Sequence, residues 1–131
     1  MEIQTKVLPL GETGGLYSII SKEITDEGGV FRLRLNPECI IYKAHFPEQP
    51  ITPGVCITQI AVELAEIIVG HSLQMTGIKN VKFLSILTPA TQTEVTYNIT
   101  IKSSDDKETR VQAVAQSDDV VYAKMSLICK R

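Results

Sequence analysis

The chain has 131 residues, with 15 Asp and Glu against 13 Lys and Arg, a hydrophobic content of 44% and a formal net charge of −2. This length matches one globular domain over residues 1–131 and leaves no room for a separate nucleotide-binding or substrate domain. The slightly acidic balance lacks the clustered positive charge that nucleic acid and anionic membranes attract, so we expect neither as a partner.

The sequence also disfavours a membrane span and a disulfide framework. No apolar run reaches the roughly 18 residues of a transmembrane helix, and the N-terminal residues lack the pattern of a signal peptide, so we expect a cytoplasmic protein. The three cysteines, at positions 39, 56 and 129, are too few and too widely spaced for a disulfide scaffold or a zinc site. We expect reduced, packed thiols and no bound metal.

The predicted elements begin with a hairpin and continue with a helix. Apolar or alternating runs at 16–24 and 30–35 are separated by the glycine-containing segment 26–29, which is typical of an antiparallel hairpin. Hydrophobic residues then recur at spacings of three and four from Val55 to Ile68, which predicts a helix that ends at Gly70. Because this helix has few polar positions, we expect a sheet to wrap around it.

The C-terminal part returns to the period of β-strands. Strands are predicted at 78–87, 93–101, 110–116 and 120–129, with turns at 103–107 and 117–119. Short turns of this kind imply an antiparallel meander.

The most unusual stretch lies directly before the predicted helix. Three of the six prolines fall there within seven residues, at positions 47, 50 and 53. They predict a rigid, extended connection that can hold the side chain of His45 in place. Gly54 leaves an unshielded backbone N–H at the positive end of the helix dipole, where it can meet a developing oxyanion.

This stretch resembles the H-F-P-x-x-P-x-x-P-G-V signature of the FabZ-type 3-hydroxyacyl-[acyl carrier protein] dehydratases, through His45-Phe46-Pro47, Pro50-Ile51 and Pro53-Gly54-Val55. The similarity continues in the run from Gly77 to Phe83 and at Pro89. The resemblance implies the α+β hotdog fold, in which a long central helix is wrapped by a curved antiparallel β-sheet.

The resemblance further implies elimination of water from a (3R)-3-hydroxyacyl thioester to give the trans-2-enoyl thioester, without metal or cofactor. In that reaction His45 takes a proton from C2, and the N–H of Gly54, beside Val55, hydrogen-bonds the thioester carbonyl. Phe46, Pro47 and Pro53 frame the loop.

The family acts on substrates bound to an acyl carrier protein and completes its site across a dimer. We therefore expect a homodimer, a dimer of dimers, or a heterodimer with a paralogue. Lys79 and Lys82 are candidate contacts for an acidic carrier protein, and the alternative is that they are ordinary solvated lysines. His71, next to the helix end, is interpreted as structural.

The sequence departs from the family at one position of the site. The family has a helix carboxylate fourteen residues after the histidine, which handles the departing hydroxyl from the other subunit, and Gln59 stands at that position here. An amide can orient a hydroxyl or a water molecule but cannot release a proton. Two other sources of the proton stay open. Glu63, one turn further along the helix, reaches the site, or His45 shuttles the proton alone. The other interpretation of Glu63 is a solvated or capping position.

Three functions are compatible with these residues. The leading hypothesis is a dehydratase of fatty acid synthesis or of a related acyl or polyene pathway. The second is a hotdog thioesterase in which Glu63 activates water. The third is a non-catalytic acyl-binding or partner subunit that kept the fold and lost the acid.

Overall fold

The computed structural model describes residues 15–44 and 48–131. In these residues it has the elements β1 (Tyr17–Thr25), β2 (Gly28–Leu35), α1 (Ile40–Ala44), α2 (Gly54–Val69), β3 (Gln74–Phe83), β4 (Glu94–Ser104), β5 (Thr109–Ser117) and β6 (Val120–Lys130). The strands form one antiparallel sheet in the order β1-β2-β4-β5-β6-β3, and α2 packs against β2, β3, β4, β5 and β6. The predicted hotdog architecture is confirmed: the sheet curves around a central helix.

The central helix α2 is enclosed along most of its length. Its buried residues are Ile57, Thr58, Ile60, Ala61, Val62, Glu63, Leu64 and Ala65. The helix ends at Gly70, which adopts φ 82° and donates its N–H to the Glu66 carbonyl oxygen over 2.8 Å. Glycine suits this position because a left-handed conformation has no steric cost without a Cβ. The predicted helix and its C-cap are therefore confirmed.

The strands beside the helix show the alternation expected of a half-buried sheet. Phe31, Leu33 and Leu35 of β2 are buried, and the arginines between them are exposed. β2 begins at Gly28, two residues before the predicted start, because Gly28 and Gly29 pair with Thr25 and Ile24 across the hairpin. The predicted glycine-containing connection is thus shorter than the sequence indicated.

β3 lies four residues earlier than predicted and does not join a meander. It ends at Phe83, after which the N–H groups of Leu84 and Ser85 turn to the Tyr122 carbonyl oxygen. Leu87, predicted as strand, is buried in the following connection, where its carbonyl oxygen accepts the Thr52 N–H over 2.8 Å. The apolar side chain of Leu87 is therefore explained by packing in this connection and not by a strand. β4, β5 and β6 form the predicted meander, whereas β3 pairs with β6 and occupies the far edge.

The five-residue helix α1 was not predicted by the sequence pattern. It is too short for a clear helical period and is joined to the core by Tyr42, which is 2% exposed. Within the described residues, no helix is long and apolar enough to cross a membrane.

The enclosure of α2 makes a prediction about stability. Ile60→Ala removes a side chain with 0% exposure and should lower the free energy of unfolding by about 2–5 kcal/mol, because the core closes only partly around the cavity. Ile67→Ala, on the same helix at 37% exposure, is the matched control and should cost markedly less. Urea unfolding followed by circular dichroism measures both, and equal losses would contradict the enclosure of α2.

Candidate active site

The first turn of α2 carries two N–H groups that the helix itself does not use. The first helical hydrogen bonds run from the N–H groups of Cys56 and Ile57 to the Pro53 carbonyl oxygen, over 3.0 and 3.1 Å. The N–H groups of Gly54 and Val55 therefore have no acceptor within the helix. Pro53 is the N-cap and makes no side-chain capping bond, and the first turn has no acidic residue. This end of α2 can accordingly bind a negatively charged oxygen.

Gly54 is closely packed at this helix start. A Cβ at this position would lie 2.8 Å from Cζ of Phe83, at the end of β3. The two halves of the resemblance, the proline-glycine motif and the strand after the helix, therefore meet at one contact. The aromatic ring lies against the backbone that carries the candidate oxyanion donors.

His45, Phe46 and Pro47 lie outside the described residues, and their predicted roles stay predictions. The chain on both sides of them is anchored. The hydroxyls of Tyr42 and Thr52 are 2.8 Å apart, and both residues are buried. This hydrogen bond joins the end of α1 to the proline-rich stretch that enters α2.

Along one face of α2, the side chains change from exposed to buried. Val55, Gln59 and Glu63 are spaced by four residues and share a face of the helix. Val55 is 70% exposed, Gln59 is half-buried and Glu63 is 5% exposed. The structure therefore brings Gln59 and Glu63 together below the helix start. It also excludes the interpretation of Glu63 as a solvated position.

Glu63 is held by two side chains of the described residues. The hydroxyl of Tyr17 donates to Glu63 Oε1 over 2.8 Å, and Nε2 of Gln59 donates to Glu63 Oε2 over 3.3 Å. Tyr17 was not among the predicted site residues; it lies 46 residues before Glu63 at the start of β1. The local sequence offers no signal for this contact, because tertiary packing alone brings β1 onto this part of α2.

Burial sets the protonation behaviour of several groups near the site. Burial, together with the neighbouring charge of Glu63, raises the pKa of Tyr17 far above its usual range, so its hydroxyl remains a donor. Burial also raises the pKa of the Cys56 thiol to about 11. Cys56 is therefore a protonated, packed thiol at neutral pH, although it lies in the first turn of a helix.

Four further polar residues lie near the end of α2 or on β3. Glu66 accepts the Leu73 N–H on Oε2 over 2.7 Å, which ties the connection after α2 to the end of the helix. Nδ1 of His71 lies 2.9 Å from the Ser72 carbonyl oxygen. Lys79 and Lys82 are exposed on the edge strand β3. Across residues 15–44 and 48–131, no three His, Cys, Asp or Glu side chains are grouped so that they could hold a metal ion.

The family of the chain follows from comparison with known proteins. A family model described as ApeI-like, ApeI dehydratase, matches residues 21–125. The chain belongs to the ApeI-like dehydratase family. This match begins in β1 and ends in β6, so it covers the central helix, the helix start and nearly the whole sheet. The resemblance to a FabZ-type hotdog dehydratase is thereby confirmed.

Curated relatives of this ApeI-like chain include the 3-hydroxyacyl-[acyl-carrier-protein] dehydratases FabZ of Cupriavidus taiwanensis and Cupriavidus necator. Each is 27% identical over 97 residues, which are 67% of this chain and 64% of the relative. The match thus spans somewhat less than two thirds of the length of these relatives.

Solved structures support the fold. The dehydratase heterocomplex ApeI:P from Xenorhabdus doucetiae matches with a TM-score of 0.71 at 20% identity, over 88% of this chain and 98% of that one. A hypothetical thioesterase with coenzyme A from Streptococcus pneumoniae matches with a TM-score of 0.63 at 8% identity, over 86% and 83%. At these identities the two structures show the fold that they share with this chain.

The contact of Gly54 with Phe83 predicts that Gly54→Ala changes the free energy of unfolding in opposite directions in the native chain and in the Phe83→Ala variant. In the native chain, Gly54→Ala should lower the free energy of unfolding by about 1 kcal/mol, because the new Cβ meets the ring. In Phe83→Ala the same change should raise it by about 0.5–1 kcal/mol, because alanine favours the helix over glycine. A double-mutant cycle from urea unfolding measures the coupling, and its absence would refute the contact.

Proposed function

We propose that this chain is a dehydratase that eliminates water from a 3-hydroxyacyl thioester carried by an acyl carrier protein, in fatty acid or related acyl synthesis. The observation that supports this most is the start of α2, where Gly54 and Val55 present two N–H groups without helical acceptors. An enolate oxygen develops on the thioester carbonyl when C2 loses a proton, and such donors stabilise it. The family match agrees with this chemistry.

The proposed reaction needs one base and one set of oxyanion donors. A ring nitrogen of His45 takes the proton from C2, and the negative charge moves to the thioester oxygen, which the Gly54 N–H hydrogen-bonds. The double bond between C2 and C3 then forms as the C3–O bond breaks. The departing hydroxyl takes the proton from His45 and leaves as water, so that the histidine ends neutral.

Gln59 has an orienting role in this proposal. Its amide is half-buried on the face of α2 that starts at Val55, and it can hold the substrate hydroxyl but cannot supply a proton. The proton for the leaving group is therefore assigned to His45. The thioesterase alternative requires Glu63 to activate water. It is less well supported, because Glu63 is 5% exposed and accepts hydrogen bonds from Tyr17 and Gln59.

A second chain of the same fold is proposed to complete the site. β3 is an edge strand, and large apolar side chains are exposed along it and just after it, at Ile78, Phe83, Leu84 and Ile86. An open edge with apolar side chains favours pairing with another chain. Phe83 contacts Gly54, and the next residue, Val55, is exposed, so a partner on this surface would adjoin the helix start. One of the similar solved structures is a heterocomplex, ApeI:P, so a paralogue is an alternative partner to a second copy.

We also propose that Lys79 and Lys82 contact the carrier protein. Lys82 pairs across the strands with Lys124 of β6, and both side chains are exposed. Like charges at directly opposed positions repel each other, and an acidic partner surface would relieve that repulsion.

The dehydratase proposal is tested with a purified (3R)-3-hydroxyacyl thioester. The native chain should form the trans-2-enoyl thioester, seen by its ultraviolet absorbance and by mass. His45→Ala should lower kcat/KM at least about 100-fold, because the reaction loses its only assigned base. His71→Ala is the matched control and should keep the activity of the native chain.

The product and the variants separate the three hypotheses. A free acid as the product would favour the thioesterase. An inert native chain that gains dehydration on Gln59→Glu would favour the partner subunit. An active chain that is indifferent to His45→Ala would overturn the proposed mechanism.

A shared site across a homodimer predicts complementation between variants. His45→Ala and Gln59→Ala, co-refolded in equal amounts, form about one half mixed dimers, and each mixed dimer has one unaltered site if the two residues come from different chains. Activity should then rise to about one quarter of the native value, above the mean of the two variants. Co-refolding His45→Ala with His45→Ala/Gln59→Ala is the control and should restore nothing. No gain in the first mixture would show that each chain holds a whole site or needs a different partner.

A further inference from the structure

We propose that Tyr17 and Glu63 are positioning residues that orient the amide of Gln59, so that its carbonyl oxygen Oε1 faces the 3-hydroxyl of the substrate. This inference rests on the proposed function, which supplies the 3-hydroxyacyl thioester. It assigns roles to two buried side chains that the mechanism above does not use directly.

The orientation follows from the chemistry of the hydrogen bond between Gln59 and Glu63. A carboxylate has no hydrogen to donate, so only the NH₂ end of a neighbouring amide can face it. The 3.3 Å contact accordingly joins Nε2 of Gln59 to Oε2 of Glu63. The oxygen Oε1 is the other end of the same planar group and is turned away from Glu63. Because Glu63 lies deeper in the core than Gln59, Oε1 is the end available to the site.

Tyr17 holds the carboxylate that sets this orientation. Its hydroxyl donates to Oε1 of Glu63 over 2.8 Å, and its side chain is 5% exposed. With one carboxylate oxygen taken by Tyr17, the other oxygen is directed to Gln59. The raised pKa of Tyr17 keeps this hydroxyl protonated, so it donates throughout the working range of pH.

A hydrogen-bond acceptor at this position would favour substrates that carry a hydroxyl group, rather than an oxo group, at C3. A 3-hydroxyl group can donate to Oε1 of Gln59 and still offer a lone pair to the proton on His45. A 3-oxo group has only acceptor lone pairs and would face Oε1 without a hydrogen between them. Sites built for a hydroxyl donor reject such analogues because a buried polar group is left unpaired. The chain should therefore bind the 3-hydroxyacyl thioester more tightly than the 3-oxoacyl thioester of equal length.

Glu63→Gln tests the orientation while keeping the hydrogen bonds of residue 63 with Tyr17 and Gln59. The new amide at position 63 can accept from Tyr17 through its oxygen and donate through its nitrogen to Oε1 of Gln59. The amide of Gln59 then turns over and presents its NH₂ to the substrate. In the His45→Ala background, in which turnover is expected to be at least about 100-fold slower, the Kd ratio of 3-oxoacyl to 3-hydroxyacyl thioester should fall at least about tenfold. Glu66→Gln, on the same helix, is the matched control and should leave the ratio unchanged.

Tyr17→Phe tests the second positioning residue. It removes one hydroxyl from the network, and the Kd ratio should fall about threefold or more because the carboxylate is less firmly held. Tyr97→Phe is the matched control, since Tyr97 is also buried but donates to the Ile57 carbonyl oxygen. It should affect stability and leave the ratio unchanged.

A spectroscopic readout separates this inference from the proposed function. The side-chain NH₂ signals of Gln59 in ¹⁵N-labelled protein are assigned by their loss in Gln59→Leu. Their hydrogen exchange should be slow in the native chain and should quicken in Glu63→Gln and Tyr17→Phe but not in Tyr97→Phe. If neither thioester binds, the proposed function fails, and the amide signals alone decide the orientation. An unchanged Kd ratio with unchanged amide signals would overturn the inference.

Discussion

The helix α2 has almost no polar face, and the rest of the structure depends on covering it. Eight of its residues between Ile57 and Ala65 are buried, and no water-facing stripe remains along that stretch. Burial of this much apolar surface is the dominant favourable contribution to folding, and a single helix cannot achieve it alone. The sheet therefore curves, and the helix packs against β2 to β6 and receives a hydrogen bond from Tyr17 of β1. β3, which follows α2 in the chain, lies at the edge of the sheet opposite to β1.

The two ends of α2 differ in how their terminal backbone groups are hydrogen-bonded. At the C-terminal end, the Gly70 N–H donates to the Glu66 carbonyl oxygen, and the side chain of Glu66 accepts the Leu73 N–H of the following connection. At the N-terminal end, Pro53 contributes no capping side chain, and the N–H groups of Gly54 and Val55 remain without helical acceptors. These N–H groups lie at the positive end of the helix dipole, where backbone donors can stabilise a negatively charged oxygen.

The same enclosure explains why Glu63 needs donors. A carboxylate in an apolar core is costly unless hydrogen bonds compensate for lost hydration. Tyr17 and Gln59 provide such bonds, and Tyr97 similarly bonds a helix carbonyl oxygen from the sheet. Polar groups inside this core therefore link α2 to β1 and β4, and they define how the helix is rotated within the sheet. The direction in which Gln59 faces relative to the sheet depends on that rotation.

Much of the fold could be predicted from local patterns, because each pattern reports a local cause. The period of apolar residues predicted α2, and the glycine at its end predicted the cap. The alternation in β2 and β4 predicted their buried faces. Errors arose where an apolar residue served a different contact. Leu87 extended the predicted strand although it packs in a connection, and α1 was missed because five residues carry no readable period.

The sequence by itself determined the helix, the hairpin, the meander and the proline-glycine entry to the helix. It also placed an amide, Gln59, where the resembled family has an acid. Only the tertiary structure decided that Phe83 packs on Gly54 and that Tyr17 reaches Glu63. These contacts join segments 29 and 46 residues apart, and no local preference encodes them. They form because the helix must be covered, and the sheet that covers it brings distant side chains to the same place.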